Sequence, residues 1–127
     1  MAPNTAPIFG KTAQLGATLV NAANTALDGS GTLVQIAAGG ANGSRIDEIV
    51  AKAAETTTAG MIRIFHDDGS TKRLYDEIIV DAVTPSATVQ SWRGAVALGM
   101  FLPSGHKLWA STHNAEDFNV FAKGSDY

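Results

Sequence analysis

The sequence predicts an all-β protein: an antiparallel β-sandwich, jelly-roll-like, of about eight strands with an extended N-terminal arm. Three observations lead there. Turn-forming clusters recur about every 8–15 residues from residue 10 onward, a rhythm that belongs to sandwiches and barrels. Short apolar runs lie between the clusters, and eight such runs are what a two-sheet jelly roll needs. A chain of 127 residues fits one core and leaves no room for two. The expected organisation is therefore an arm over residues 1–9 and a single sandwich domain over 10–127.

The arm, Met1-Ala-Pro-Asn-Thr-Ala-Pro7, reads as extended because Pro3 and Pro7 push their predecessors out of the helical region. Ile8 and Phe9 add apolar character at its end. Together these four residues are candidates for contact with a neighbouring subunit. The turns are Asp28-Gly-Ser-Gly31, Gly39-Gly-Ala-Asn-Gly-Ser44, Asp67-Asp-Gly-Ser70, Thr84-Pro-Ser86, Pro103-Ser-Gly105 and His113-Asn-Ala-Glu-Asp117. They bound strands near 12–22, 31–38, 45–55, 60–66, 71–81, 88–98, 106–113 and 117–123.

The best-specified hairpin runs from Met61 to Val80. Ile62 and Ile64 share one face, as do Leu74, Ile78 and Val80 on the return strand. An odd-numbered loop around Asp67-Asp68-Gly69 sets Ile62 opposite Leu74 so that the two apolar sets meet, with Gly69 at positive φ. The segments 106–113 and 117–123 read as a last hairpin. Leu108, Ala110 and Thr112 form one face, and Trp109 the other. Phe118, Val120 and Ala122 alternate with Asn119, Phe121 and Lys123. If the first set fills the core, Trp109 and Phe121 point outward and mark a contact surface, or are covered by a loop of the same chain. Residues 44–55 stand apart. Ile46, Ile49, Val50 and Ala53 have helical spacing, and Ser44 with Asp47 resembles a capping box.

Composition narrows the function. The net charge is −3, and the nine Lys and Arg are scattered apart from Lys72-Arg73, so no basic stripe serves a nucleic acid. The absence of cysteine excludes disulfides, thiolate zinc sites and thiol catalysis. Met1–Phe9 lacks a signal peptide's charged start and apolar run, and no stretch approaches the roughly 18 apolar residues that span a membrane. Charged residues make up only 17% of the chain, which suits a surface partly covered by neighbours.

No catalytic, cofactor or metal residues are assigned, and the chain is not expected to be an enzyme. His66 precedes Asp67-Asp68, but Asp-Asp-Gly-Ser is also ordinary turn chemistry. His66, His113 and Glu116 or Asp117 would make a cupin-like two-His-one-carboxylate set, yet cupins need a His-x-His pair and this chain has none. Asp47-Glu48, Asp76-Glu77 and Glu116-Asp117 are sequence neighbours, so strand alternation turns them to opposite faces rather than across a cleft. Gly39–Ser44 lacks the Lys-Ser/Thr ending of a phosphate loop. Trp92 beside Arg93 fits packing or an interface better than a lone stacking platform.

Four stretches carry a resemblance. They are Asn21-Ala-Ala-Asn-Thr-Ala-Leu-Asp-Gly-Ser-Gly31, Ala41-Asn-Gly-Ser-Arg-Ile-Asp47, Thr57-Thr-Ala-Gly-Met-Ile-Arg-Ile-Phe65 with its Asp-Gly turn, and Leu102 through Tyr127. Together they resemble small structural proteins of tailed bacteriophages, over about 80% of the chain. The resemblance implies a virion protein on the capsid surface, assembled in the host cytoplasm. The expected role is capsid decoration or cement, stabilising the head by binding the major capsid protein as a homo-oligomer, a trimer or dimer. It carries over no catalytic residue. It also favours a strand, bulged, over 44–55. Trp92, Trp109 and Phe121 become its candidate aromatic anchors. The alternatives are a tail, connector or fibre-associated virion protein, or a carbohydrate-binding sandwich for host attachment that uses Trp92 or Trp109.

Overall fold

The computed structural model describes residues 10–127; the predicted arm, with Pro3, Pro7, Ile8 and Phe9, lies outside the described residues. The strands are β1 (Thr12–Val20), β2 (Val34–Ala38), β3 (Ser44–Ala53), β4 (Gly60–Asp67), β5 (Lys72–Val80), β6 (Arg93–Leu102), β7 (Lys107–Thr112) and β8 (Phe118–Asp126). No helix occurs among the described residues.

The pairing is nested: β1 with β8, β2 with β7, β3 with β6, and β4 with β5, all antiparallel. The chain is one long antiparallel ribbon whose tip is the β4–β5 turn. Additional pairing of β3 with β8 and of β4 with β7 rolls the ribbon up. Two four-stranded sheets result, sheet A in the order β1-β8-β3-β6 and sheet B in the order β2-β7-β4-β5. That is jelly-roll order. Sheet A supplies Val20, Ile46, Ile49, Phe118 and Val120 to the core, and sheet B supplies Ile36, Ile62, Ile64, Ile78 and Leu108.

Residues 44–55 form a strand, and its helical spacing has a physical origin. A bulge falls between Ile46 and Glu48. One extra residue turns an i, i+3 spacing into neighbours on the same strand face, so Ile46 and Ile49 both reach the core. Asp47, set outward there, pairs with Arg45 at 2.7 Å.

Three expectations need correction. The segments 106–113 and 117–123 are not a hairpin: β7 lies in sheet B and β8 in sheet A, although their inward and outward faces are as expected. The sixth strand begins five residues late. Ser86 holds residues 86–89 in a turn, its Oγ accepting from Thr88 N at 3.2 Å and Val89 N at 3.1 Å, a local bond that competes with strand pairing. In the 61–80 hairpin Ile62 meets Ile78 rather than Leu74. Asp67 pairs with Lys72 across a longer turn, and a register shift between Ile64 and Phe65 sets Leu74 opposite Phe65. Gly69 does take positive φ, 98°.

Two carboxylates build that turn. Asp67 Oδ1 accepts from Gly69 N at 2.8 Å. Asp68 Oδ1 accepts from Ser70 N at 3.0 Å, Ser70 Oγ at 3.0 Å and Thr71 N at 2.9 Å, while Oδ2 accepts from Arg73 Nη1 at 3.1 Å. The Thr71 and Ser70 amides foremost, then the Ser70 hydroxyl and Arg73, hold the Asp68 carboxyl far below the usual range. Its folded pKa is depressed, so its stabilisation is present above the unfolded value of about 3.9 and is lost as pH falls through the folded value.

Trp92 is a further correction. It is only 6% exposed and packs edge-on against Phe118, ring centroids 5.6 Å apart at 89°. It is a core side chain, closing the end of the sandwich where β6 begins, and no surface anchor. Trp92→Ala is expected to cost about 3–5 kcal/mol in urea unfolding; a loss under about 1 kcal/mol would contradict a buried ring. Acid unfolding should be flatter for Asp68→Asn than for the native chain between about pH 4 and 2; equal slopes would contradict the role of its carboxylate.

Candidate interaction surface

A strand in a sandwich has one side in the core and one side outside it, so each sheet has an outer face to account for. Sheet B covers the middle of its own and leaves Ile79 70% and Tyr75 47% exposed on its edge strand β5. The connection from β1 to β2, residues 21–33, starts beside β7, where Ala23 pairs with Thr112. It then crosses to β5, where a Cβ on Gly29 would meet Lys72 O at 2.7 Å; Gly29 sits at φ 86°. Between these points Phe65, an outer-face residue outside the inter-sheet cluster, is 0% exposed.

Asn24 is the hub of this strap. Its Nδ2 donates to Ser30 O and Thr32 O, both at 2.9 Å, and its Oδ1 accepts from Ala26 N at 3.0 Å. Its own carbonyl accepts from Arg63 Nη1 at 3.3 Å. Arg63 is buried beneath, with Nη2 3.2 Å from His113 Nδ1, which must accept because arginine has no acceptor. Glu77 Oε2 lies 3.5 Å from Arg63 Nε. Trp109 also stands on this face, half-buried. Its Nε1 donates to Asp67 Oδ2 at 3.0 Å and Lys72 Nζ sits 4.9 Å from its ring centroid, a cation–π contact. The Gly69 amide first, then Trp109, Lys72 and Lys107, hold Asp67 below its ordinary value against the opposing effect of burial.

Among the described residues sheet A has no such strap, and its outer face sets exposed leucines among alanines and charged side chains. The register places Ala17, Phe121, Val50 and Ala95 in one row across β1, β8, β3 and β6. The adjacent row is Leu15, Lys123, Glu48 and Ala97, and the row on the other side is Leu19, Asn119, Lys52 and Arg93. Leu15 is 67% exposed and Leu19 49%. Phe121, singled out from the sequence, sits half-buried in the middle row.

The unusual strand is β1. Its leucines face out while Gln14, Gly16 and Thr18 face in. A one-residue slip would reverse this, but inward contacts lock it. Gln14 Nε2 donates to Asp126 Oδ1 at 2.6 Å, with Ser44 Oγ and Ala38 O each at 3.3 Å. A Cβ on Gly16 would lie 2.7 Å from Ile36 O, so a leucine at that position would collide with β2. The leucines are therefore outside because of polar and steric requirements inside.

Sequence reasoning assigned no face to β1 and missed Leu15 and Leu19. The signal was there in Leu15-x-Ala17-x-Leu19, but a leucine alternation is ordinarily read as the core side. The histidines assemble differently from the cupin-like set. His66 Nε2 lies 3.0 Å from His106 Nδ1, and His113 is on Arg63. Among the described residues no three or more His, Asp or Glu are grouped to hold a metal ion, and none forms a helix long and apolar enough to cross a membrane.

Comparison of this chain with protein-family models, with curated proteins and with solved structures finds no match.

Asn24→Ala removes two hydrogen bonds from a buried side chain to the Ser30 and Thr32 carbonyls, and at about 0.5–1.5 kcal/mol each should cost about 1–3 kcal/mol. The sharper readout is hydrogen exchange. Amides of residues 24–33 should exchange faster while those of β3 and β8 do not; unchanged exchange over 24–33 would contradict the hub role.

Proposed function

We propose that this chain is a virion structural protein, a capsid decoration or cement protein that binds the major capsid protein of a phage head and stabilises the shell, acting as a small homo-oligomer on the capsid surface. The observation that carries the docking role is β1, whose leucines point away from the core on a sheet face that the described residues leave uncovered. A bare apolar face is costly in water and is a recurrent mark of protein contact. The strapped face of sheet B shows that this fold has the means to cover a face with its own chain.

The shell as partner rests on the resemblance of residues 21–127 to phage structural proteins, and the physics is compatible with it. The fold closes without disulfides, since the chain has no cysteine, and a sandwich with exposed edge strands suits flat, repetitive surfaces. A tail, connector or fibre-associated position uses the same features. The carbohydrate-binding alternative is less favoured, because Trp92 is in the core and the Trp109 ring is engaged by Lys72.

The test is addition of the purified chain to phage heads lacking it. Bound chain should raise the temperature at which the heads release their DNA. Deleting residues 1–9 should weaken head binding about tenfold or more, roughly 1.4 kcal/mol, with an unchanged circular dichroism spectrum. Heads that neither bind nor gain stability from the intact chain would overturn the proposal. Full binding by the shortened chain would remove the arm from it.

A further inference from the structure

The outer face of sheet A is self-complementary. We infer that a second copy of this chain covers it, packed face to face about a two-fold axis parallel to the strands. The inference rests on the reading that this face docks protein; it gives the face to a sister copy and leaves contact with the shell to residues 1–9 and the remaining surface.

Such an axis keeps each row in place and reverses the strand order, laying β1 over the second copy's β6 and β8 over its β3. In the row Leu15, Lys123, Glu48, Ala97, each Leu15 then meets Ala97 and each Lys123 meets Glu48. In the middle row Phe121 meets Val50 and Ala17 meets Ala95. In the third row Leu19 meets the aliphatic stem of Arg93, which can lie along apolar surface with its charge at the rim. Large residues fall on small ones and positive on negative. That is what an isologous interface requires of a single patch. Lys123 and Glu48 are 3.5 Å apart within one chain, so two copies close a ring of four alternating charges.

The other face-to-face two-fold, running along the rows, is poorer. It stacks Phe121 on Phe121 and Ala17 on Ala17, a ridge flanked by gaps. It also brings Glu48 to Lys52, whose Nζ already donates to Ser91 O at 2.8 Å. Packed sheets cross at about 30°, which keeps the middle rows in contact for either axis. With the outermost row Ala13, Ser125, Arg45, Phe101, four strands about 4.8 Å apart and four rows about 6.8 Å apart give a footprint of roughly 500 Å² per copy. The total of about 1,000 Å² sits at the threshold of a specific interface, so the dimer should be concentration-dependent.

The cysteine-free chain makes a clean background for cross-linking. Within one chain Leu15 and Ala97 are three strand spacings apart, about 14 Å, far beyond disulfide reach. Mild oxidation of the double variant Leu15→Cys with Ala97→Cys should give a covalent dimer on a non-reducing gel; neither single variant should. Leu15→Cys with Leu19→Cys reports the other axis. Both sites are on the exposed face, and circular dichroism checks that the fold is kept. In parallel, sedimentation of the native chain should show dimer at high micromolar concentration, and Leu15→Lys should raise the dissociation constant at least tenfold. Cross-linking through 15 and 19 but not 15 and 97 would overturn the geometry. A native chain that stays monomeric at every concentration would overturn the pairing itself. A monomer that still binds heads would do so while leaving the head-binding part of the proposed function standing, whereas a dimer that binds no head would do the reverse.

Discussion

A β-sheet has two faces, and a sandwich core hides one face of each sheet. What happens at the other two governs this molecule. The inner contacts of β1 decide the matter for sheet A: Gln14 reaches Asp126 and Ser44, and Gly16 leaves room for the backbone at Ile36. With those two positions committed inward, strand alternation places Leu15 and Leu19 outside. Moving the leucines in would strand a hydrogen-bonded amide in solvent and drive a side chain into β2. The bare face is thus a consequence of how β1 closes the sandwich.

Sheet B solves the same problem within the chain. The 21–33 strap buries Phe65 and Arg63; the Asn24 carbonyl and His113 accept from the two terminal guanidinium nitrogens, while Nε has no hydrogen-bond partner and only the Glu77 carboxylate, 3.5 Å away, beside it. A buried guanidinium is tolerable only with such partners. The turn at the ribbon tip is organised in the same spirit, two aspartates satisfying the amides of Gly69, Ser70 and Thr71. The result is a domain with one flank covered over its middle by the strap and one flank that the described residues leave open. That polarity suits a protein that must join a surface or a sister copy in one orientation.

Much of the fold was legible in the sequence, because turn chemistry and period-two alternation are local. The strand count, the jelly-roll class, the inward set Phe118, Val120, Ala122 and the outward Trp109 and Phe121 all follow from neighbours in the chain. The register of the 61–80 hairpin did not, since a bulge at Ile64–Phe65 shifts the pairing by a residue that no spacing rule announces. Nor did the partner of β7: whether a short connection turns within a sheet or across the core depends on which edges are already occupied. Trp92 looked like an anchor because it sits beside Arg93 in a polar stretch; only its contact with Phe118 shows otherwise. The candidate surface was the least legible part. Its rows join residues from four strands, and its leucines mimic a core pattern, so the surface exists only once the sheet is assembled.

The two outer faces differ in that the middle of sheet B lies under the strap while the leucines of β1 stand exposed on sheet A. Hydroxyl-radical footprinting reads this difference directly, residue by residue, in dilute protein and in the assembled state. Leu15 and Leu19 should label strongly in dilute protein and be protected on assembly, and Phe65 should label little in either state. Phe65 labelled as readily as Leu15, or leucines that stay labelled after assembly, would contradict this assignment of the faces.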